Sequence, residues 1–415
     1  MKPPPLQFPS HSAPRNWLIT SAASPIGTAL ARAVLKHGDS VMLGIESHNV
    51  VYELRKGIGK GDCFRSGRDG SFGEREELFA RFMNEEVREQ EGWADRCRVV
   101  GLDGRIVGQC QAAVAEAVEV MGSVDILFCC ASEAVIGTVE ELAASPRTLS
   151  LIREQFETNF FGPVNVIKAV LPAMRVKKQG HIIILTGITS HLGTPGLGAY
   201  CASGWALEGF CDSLAYEIAP FNIKTTIVQP NIEIPTLTNR ITAAPLQPQY
   251  APQNHPAPLA RCMLGTLIDR IGEMNPEADG SESGLEPESE EVSESQRESQ
   301  EKVGKVVVVE KERAFFPAHP HVQSLYPSLP PTMTSALIAE TLHALCAVGG
   351  HENPPARHIV GYEGVASVKE KLKTVSEELE DFVGVSGGVD ILAEDLLDGE
   401  GLGGRGEEQG LGGEE

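Results

Sequence analysis

WLITSAASPIGTALARAVLKHG, residues 17–38, passes from a short apolar run through a turn of small residues into a helical pattern that ends in glycine. WLITSA (17–22) reads as a strand, and PIGTALARAVLKHG (25–38) as an amphipathic helix. Ser24 suits the N-cap and Pro25 the first helical turn, where a missing amide costs nothing. The pattern repeats along the chain: SVMLGIE (40–46), RVVGLD (98–103), VDILFCCA (124–131), GHIIILTG (180–187) and IKTTIVQP (223–230) are strand-like, with helical segments between them. Strands that alternate with helices imply a parallel sheet covered on both faces. The fold expected is therefore α/β, built on such a sheet.

Bulk composition narrows the function. The chain has 415 residues, 41% of them hydrophobic, and a formal net charge of −22. That charge argues against nucleic-acid binding and against docking on anionic membranes. Nine cysteines without a Cys-x-x-Cys pair fit a reducing compartment, where they act as small hydrophobes. The proline-rich start lacks the apolar core of a signal peptide, and no apolar run is long enough to span a bilayer. A soluble, cytoplasmic protein is the expectation.

Residues 1–15 read as a disordered arm and 16–275 as the body. Within the body, 50–96 is a charged insertion carrying one helix, GEREELFARFMNEEVREQEG. The stretch 276–304 is dense in Ser and Glu and buries too little apolar surface to order itself. Residues 305–385 complete the fold, with KVVVVEKE (305–312) as an added edge strand and a last strand near 357–362. A Gly/Glu-rich tail fills 386–415.

The turn TSAASPIG, the strand end VDILFCCAS, the segment ETNFFG and the run PGLGAYCASGWALEGFCDSLAYEIAPFNIKTTIVQPN together resemble the short-chain dehydrogenase/reductase family, closest in wording to its steroid- and retinol-type members. PPARHIVGYEG (354–364) is similar to the family's last strand. The resemblance implies a Rossmann-type doubly wound parallel sheet, in a single domain with insertions, and NAD or NADP as cofactor. It assigns Thr20, Ser21, Ser24, Ile26, Gly27, Glu46, Asp103, Cys130, Ala131 and Pro230 to the nucleotide side. Ser21 and Pro25 stand where the family's turn has glycine; Cys129, Cys130 and Ser132 replace its Asn, Asn and Gly. Glu46, 19 residues after Gly27, lies near where an acid holds a ribose 2′-hydroxyl, which weakly favours NAD over NADP.

On the catalytic side the resemblance implies Tyr200 as the proton donor and Asn159 as the residue that orders a water. A lysine is expected four residues after the tyrosine and a serine thirteen before it; here these are Gly204 and Gly187. Thr186 and Thr189 flank the serine position, and strand alternation is expected to turn Thr186 away. A tyrosine is a weak base near neutrality unless a cation stabilises its phenolate. Two readings follow: a family member whose oxidoreductase activity is impaired or lost, or an active enzyme reducing an apolar, steroid-, retinoid- or lipid-like carbonyl with Tyr200 as acid. On the first reading, restoring Gly204→Lys with Gly187→Ser should return activity. Apolar residues on several faces of 161–176 and 205–219 suit a two-fold homodimer. No metal ligand set is evident.

Overall fold

The computed structural model describes residues 5–46, 74–231, 233–273, 321–327 and 329–386. The loop GKGDCFRSGRDGSFG, the whole acidic stretch 276–304 with KVVVVEKE, and the tail from 387 lie outside the described residues. The chain divides into two compact units, Met1–Val365 and Ala366–Glu415. The completion expected to run to 385 thus splits at Val365.

The elements are, in chain order, β1 Asn16–Ile19, α1 Pro25–His37, β2 Ser40–Ile45, α2 Glu74–Arg81, β3 Cys97–Gly101, α3 Val107–Met121, β4 Ile126–Cys129 and β5 Ala134–Ile136. Then follow α4 Pro146–Phe156, α5 Gly162–Lys177, β6 Gly180–Leu185, α6 Gly198–Ile218, β7 Ile223–Gln229, β8 Ile241–Ala243 and α7 Ala260–Glu273. The last are β9 Gln323–Leu325, α8 Pro331–Val348, β10 Arg357–Ile359 and α9 Tyr362–Asp381, which runs across the boundary of the two units.

Seven strands form one parallel sheet in the order β10-β7-β6-β4-β1-β2-β3. The order reverses between β1 and β4. In doubly wound sheets ligands bind in the crevice outside the strand ends at that point. β1 shows how the two layers arise. Successive side chains face opposite ways, so Trp17 and Ile19 pack with Leu30, Val34 and Leu345 while Leu18 packs with Val114, Ile167 and Leu207. α1 starts at Ser24, whose hydroxyl accepts from the Gly27 amide, and stops at Gly38, whose φ of 106° closes the left-handed cap.

Several features depart from expectation. A second, three-stranded sheet, β5-β8-β9, joins segments that the strand–helix alternation did not mark as strands. The insertion helix is interrupted by a π turn at Phe82–Glu86. The arm expected to be disordered is instead laid on the body from Phe8: its ring stacks on His37 and meets Trp17 edge-on. Arg15 anchors it, donating to the fully buried Asp39 and to the Gly349 carbonyl. Among the described residues no helix is long and apolar enough to cross a membrane, and the described cysteines are free thiols, most of them buried.

His181 ties β6 to β7 and to the turn before β10. Its Nδ1 accepts from the Gly350 amide at 3.0 Å, and its Nε2 lies 2.9 Å from the Thr226 hydroxyl, which donates to the Pro355 carbonyl. Burial, aided by Lys224, His351 and Arg15, pushes its pKa down to about 3. The folded state therefore refuses a proton that the unfolded chain accepts near pH 6.5, and the stability present above that pH is lost as pH falls toward 3. Between pH 6.5 and 5, where carboxylates still remain largely ionised, the urea midpoint of the native chain should fall with pH. His181→Gln should flatten that slope; an unchanged slope would show that His181 is not the responsible group.

Candidate active site

Tyr200 lies in the first turn of α6, buried at 5% exposure among Leu197, Leu237, Ile241 and Leu264. Its hydroxyl meets the Ser132 hydroxyl at 3.4 Å. Asn159 sits on a π turn, Glu157–Phe161, between α4 and α5. Such wide turns re-aim a side chain, and here the amide grips the loop after β4. Its Oδ1 accepts from the Glu133 amide at 3.0 Å, and its Nδ2 donates to the Glu133 carbonyl at 2.9 Å. Ser203 donates to the Tyr200 carbonyl at 2.8 Å and receives a long 3.5 Å contact from Asn159. The structure thus brings Tyr200 and Asn159 to one place. Asn159, however, is spent on holding a loop.

Tyr200, Asn159, Ser132, Thr186, Gly187, Thr189, Ser190, Ser203 and Gly204 surround a cavity of about 20 Å³, room for one water. None of the residues lining it is a lysine or arginine. The cation that reaches α6 one turn later, Arg357, is occupied by Glu208 at 2.6 Å and Asp212 at 2.5 Å. Burial, opposed by the Ser132 hydrogen bond, pushes the Tyr200 phenol up to about 12. Tyr200 can donate a proton at neutral pH and cannot act as a base.

Gly204 is more than a missing lysine. A Cβ built there would stand 2.6 Å from the Ser190 hydroxyl, closer than real contacts allow. Ser190 itself is buried, and its hydroxyl has no partner among the described residues. The space into which a side chain at 204 would grow is filled by Ser190. Gly187 is different: a Cβ there meets Thr189 Oγ1 at 3.3 Å and Pro235 at 3.4 Å, tight but tolerable. Thr186 does not turn away as alternation suggested. β6 ends at Leu185, so the alternation stops one residue earlier, and Thr186 lines the cavity with Thr189. No local pattern of residues marks Ser190. Only the pairing of a glycine at 204 with a hydroxyl fourteen residues earlier would have pointed to it.

The nucleotide turn keeps its shape with altered chemistry. Ser21 adopts φ +45°, the left-handed region that the glycine at this place would occupy without strain. Gly27 is required: a Cβ would sit 2.9 Å from Ala22 Cα and from the Ser21 carbonyl. Ser24 and Gly27 amides are bonded within the turn, to the Ser21 carbonyl at 2.9 Å and to Ser24 Oγ at 3.1 Å. Pro25 has no amide, and Ile26 is buried. Thr20 clips the end of β4: its Oγ1 accepts from the Cys130 amide at 3.1 Å and its carbonyl from the Cys130 thiol at 2.8 Å.

Beside the turn, Glu46 accepts from the Ser21 hydroxyl at 2.9 Å, and Arg105 clasps Asp103 at 2.7 Å. Burial raises the Glu46 pKa, against the Ser21 hydrogen bond and the Arg105 charge. Glu46, Asp103, Arg105, Thr20, Ser21 and Ala131 line one small cavity. Pro230 follows the end of β7, its carbonyl accepting from the Ile188 amide at 3.1 Å. An acid for a ribose hydroxyl and a helix N-terminus for a pyrophosphate are therefore both present, with fewer free amides than the family's glycine turn offers.

Residues 54–244 match the family model of the short chain dehydrogenases. Over these residues the chain is similar to the short-chain dehydrogenase/reductase family. The match begins after the nucleotide turn, where Ser21 and Pro25 depart from the family's glycines. The chain is 30% identical over 214 residues to oxidoreductase BOA17 of Botryotinia fuckeliana, covering 52% of this chain and 64% of that one. It is 34% identical over 137 residues to human retinol dehydrogenase 8, covering 33% and 40%. It is 41% identical over 118 residues to 3-ketodihydrosphingosine reductase of Bacteroides thetaiotaomicron, covering 28% and 42%. Each match spans less than two thirds of the relative's own length. A short-chain dehydrogenase from Streptomyces avermitilis has the same fold, with a TM-score of 0.55 at 22% identity over 91% of this chain and all of that one.

The contact between positions 204 and 190 makes a quantitative prediction. Gly204→Ala alone should destabilise the protein by about 1–3 kcal/mol, the usual range for overpacking. Adding Ser190→Ala, which removes the clashing oxygen and keeps the rest, should recover most of the loss. Additive effects in urea unfolding would show that the two positions do not touch.

Proposed function

We propose that the protein is a short-chain dehydrogenase/reductase whose hydride-transfer chemistry is impaired and which binds its dinucleotide weakly. One observation carries this reading. Ser190 fills the space beside Gly204, so no cation stands next to a Tyr200 that burial pushes up to about 12. A phenol in that state serves as an acid at best. Losing one preorganised donor to a reacting oxygen costs roughly 10²–10³ in rate, and Gly187 removes one such donor as well. The cofactor is NAD(P), with Glu46 favouring NAD because its carboxylate would repel a 2′-phosphate.

A second reading, slow reduction of an apolar carbonyl, has one observation in its favour. A cleft of about 460 Å³ lined by Leu197, Met263, Leu264 and Leu267 opens beside the cluster that holds Tyr200. Titration calorimetry with NADH and NADPH, followed by turnover of apolar ketones, separates the readings. The native chain should bind NADH more tightly than NADPH and turn over far below the typical enzyme median of about 10 s⁻¹. Restoration needs three changes, not two: Gly187→Ser, Gly204→Lys and Ser190→Gly, the last to make room. That triple variant should gain carbonyl reduction of about a hundredfold or more. A native chain that already turns over at family rates would overturn the proposal.

The homodimer belongs to the same reading. Phe161, Trp205, Tyr216 and Phe221 are exposed around α5 and α6, with Trp205 at 51% and Tyr216 at 85%. A two-fold pairing of these helices would cover them. Light scattering at micromolar concentration should give twice the chain mass, and Trp205→Glu with Tyr216→Glu should give a monomer. A native monomer would end this part of the proposal.

A further inference from the structure

His11, His37 and Asp39 converge at the edge of the sheet opposite Tyr200, where β1 and β2 begin. One nitrogen or oxygen from each lies within 4.8 Å of the others. His11 Nε2 is 2.7 Å from His37 Nε2 and 3.7 Å from Asp39 Oδ1. None of these residues takes part in the nucleotide or tyrosine sites. The three come from different parts of the chain: the N-terminal arm, the last turn of α1 and the loop into β2.

The groups around them set their atoms as ligands are usually set. His11 Nδ1 lies 2.7 Å from the Ala13 carbonyl, which can only accept, so Nδ1 carries the proton and Nε2 presents its lone pair. That is the tautomer and backbone clamp typical of metal-bound imidazoles. Asp39 is oriented from behind: its Oδ2 takes Arg15 Nε at 3.0 Å, Arg15 Nη2 at 2.8 Å and Trp17 Nε1 at 3.0 Å, while its Oδ1 accepts from the Arg15 amide at 3.0 Å and lies 3.7 Å from His11 Nε2. Phe8 stacks on the His37 ring, with centroids 4.1 Å apart, and fixes its plane.

We propose that His11 Nε2, His37 Nε2 and Asp39 Oδ1 form a zinc site that fastens the N-terminal arm to the body. Two imidazoles and one carboxylate, with a fourth position open to water, match the donor set of three-ligand zinc centres. Without metal, the His37 Nε2 proton bridges to His11. On binding, that proton passes through solvent to His37 Nδ1, so both imidazoles stay neutral and no net proton is released. Zinc–nitrogen bonds of about 2.0–2.1 Å at a tetrahedral angle need the two nitrogens about 3.3 Å apart. His11, on an exposed arm, has only to swing outward by about half an ångström. The function is structural, since the site lies at the far end of the strands from Tyr200.

The test uses the full chain without an affinity tag, stripped of metal with a chelator. Titration calorimetry with Zn²⁺ should show one site per chain and a raised thermal midpoint, with no response to Mg²⁺. Co²⁺ should give the visible bands of a four-coordinate site without thiolate charge transfer. His11→Ala and His37→Ala should each weaken Zn²⁺ binding by about tenfold or more, while His255→Ala, at a half-buried histidine elsewhere, should leave it unchanged. His11 is exposed and packs on nothing in the core, so its variant keeps the fold, and circular dichroism checks this directly. Absence of binding, binding that survives both histidine variants, or a cobalt spectrum with sulfur ligation would each overturn the proposal.

Discussion

The Ser190 hydroxyl, 2.6 Å from where a Cβ on residue 204 would lie, is the contact on which the tyrosine end of the molecule depends. It links what would otherwise look like separate losses. A lysine at 204 and a serine at 190 cannot share this space without movement, so the two residues form one packing solution. With the cation gone, nothing offsets the cost of burying a phenolate, and Tyr200 stays protonated. The same contact lets the 188–190 turn lie against α6, which brings Thr189 and Ser190 to the wall of the tyrosine's cavity. Geometry and electrostatics at this end therefore follow from the absence of a side chain at 204.

The nucleotide end reaches a similar outcome by another route. Ser21 holds a left-handed φ of 45° that a glycine would adopt without strain. The turn is kept by its surroundings: Thr20 and Cys130 bond β1 to β4 across the switch point, and Gly27 lets the helix approach within contact of Ala22 and Ser21. The framework is thus stronger than its anion site. Shape is retained by packing and by side-chain hydrogen bonds, while the amides that would face a pyrophosphate are reduced by Pro25 and by bonds within the turn.

The periodic part of the structure could be read from residues alone. The strand after the arm, the helix closed by Gly38 and the run from Gly180 to Leu185 follow from patterns local to each segment. What escaped the reading depends on distance in the chain. The β5-β8-β9 sheet joins residues near 135, 242 and 324, with strands of three residues each, too short to carry a period. Thr186 was misjudged because alternation was carried one residue past the end of β6. The arm looked free because its order comes from Asp39 and Trp17, not from its own sequence. At the site, glycines at 187 and 204 were visible as departures from a motif. Their consequences were not, because the motif says nothing about which neighbour fills the gap.

Polar atoms without partners are distributed in a way that bears on whether the cavity is a relic. Thr158, Thr186 and Ser190 have buried hydroxyls with no partner among the described residues; Thr186 and Ser190 line the tyrosine's cavity, while Thr158 lines the neighbouring one beside Ala131. Each such hydroxyl costs about 1–3 kcal/mol if it stays unpaired. At the other end of the sheet Asp39, with no exposure, accepts from Arg15 and Trp17. A core selected for packing alone would gain by replacing the three hydroxyls with alanine or valine. Their cost is relieved when a water or a polar group of a ligand enters the space between them, and one cavity there has room for a water. The tyrosine end is therefore a polar cavity with no lysine or arginine among its lining residues, and the packing around it favours an occupant able to hydrogen-bond.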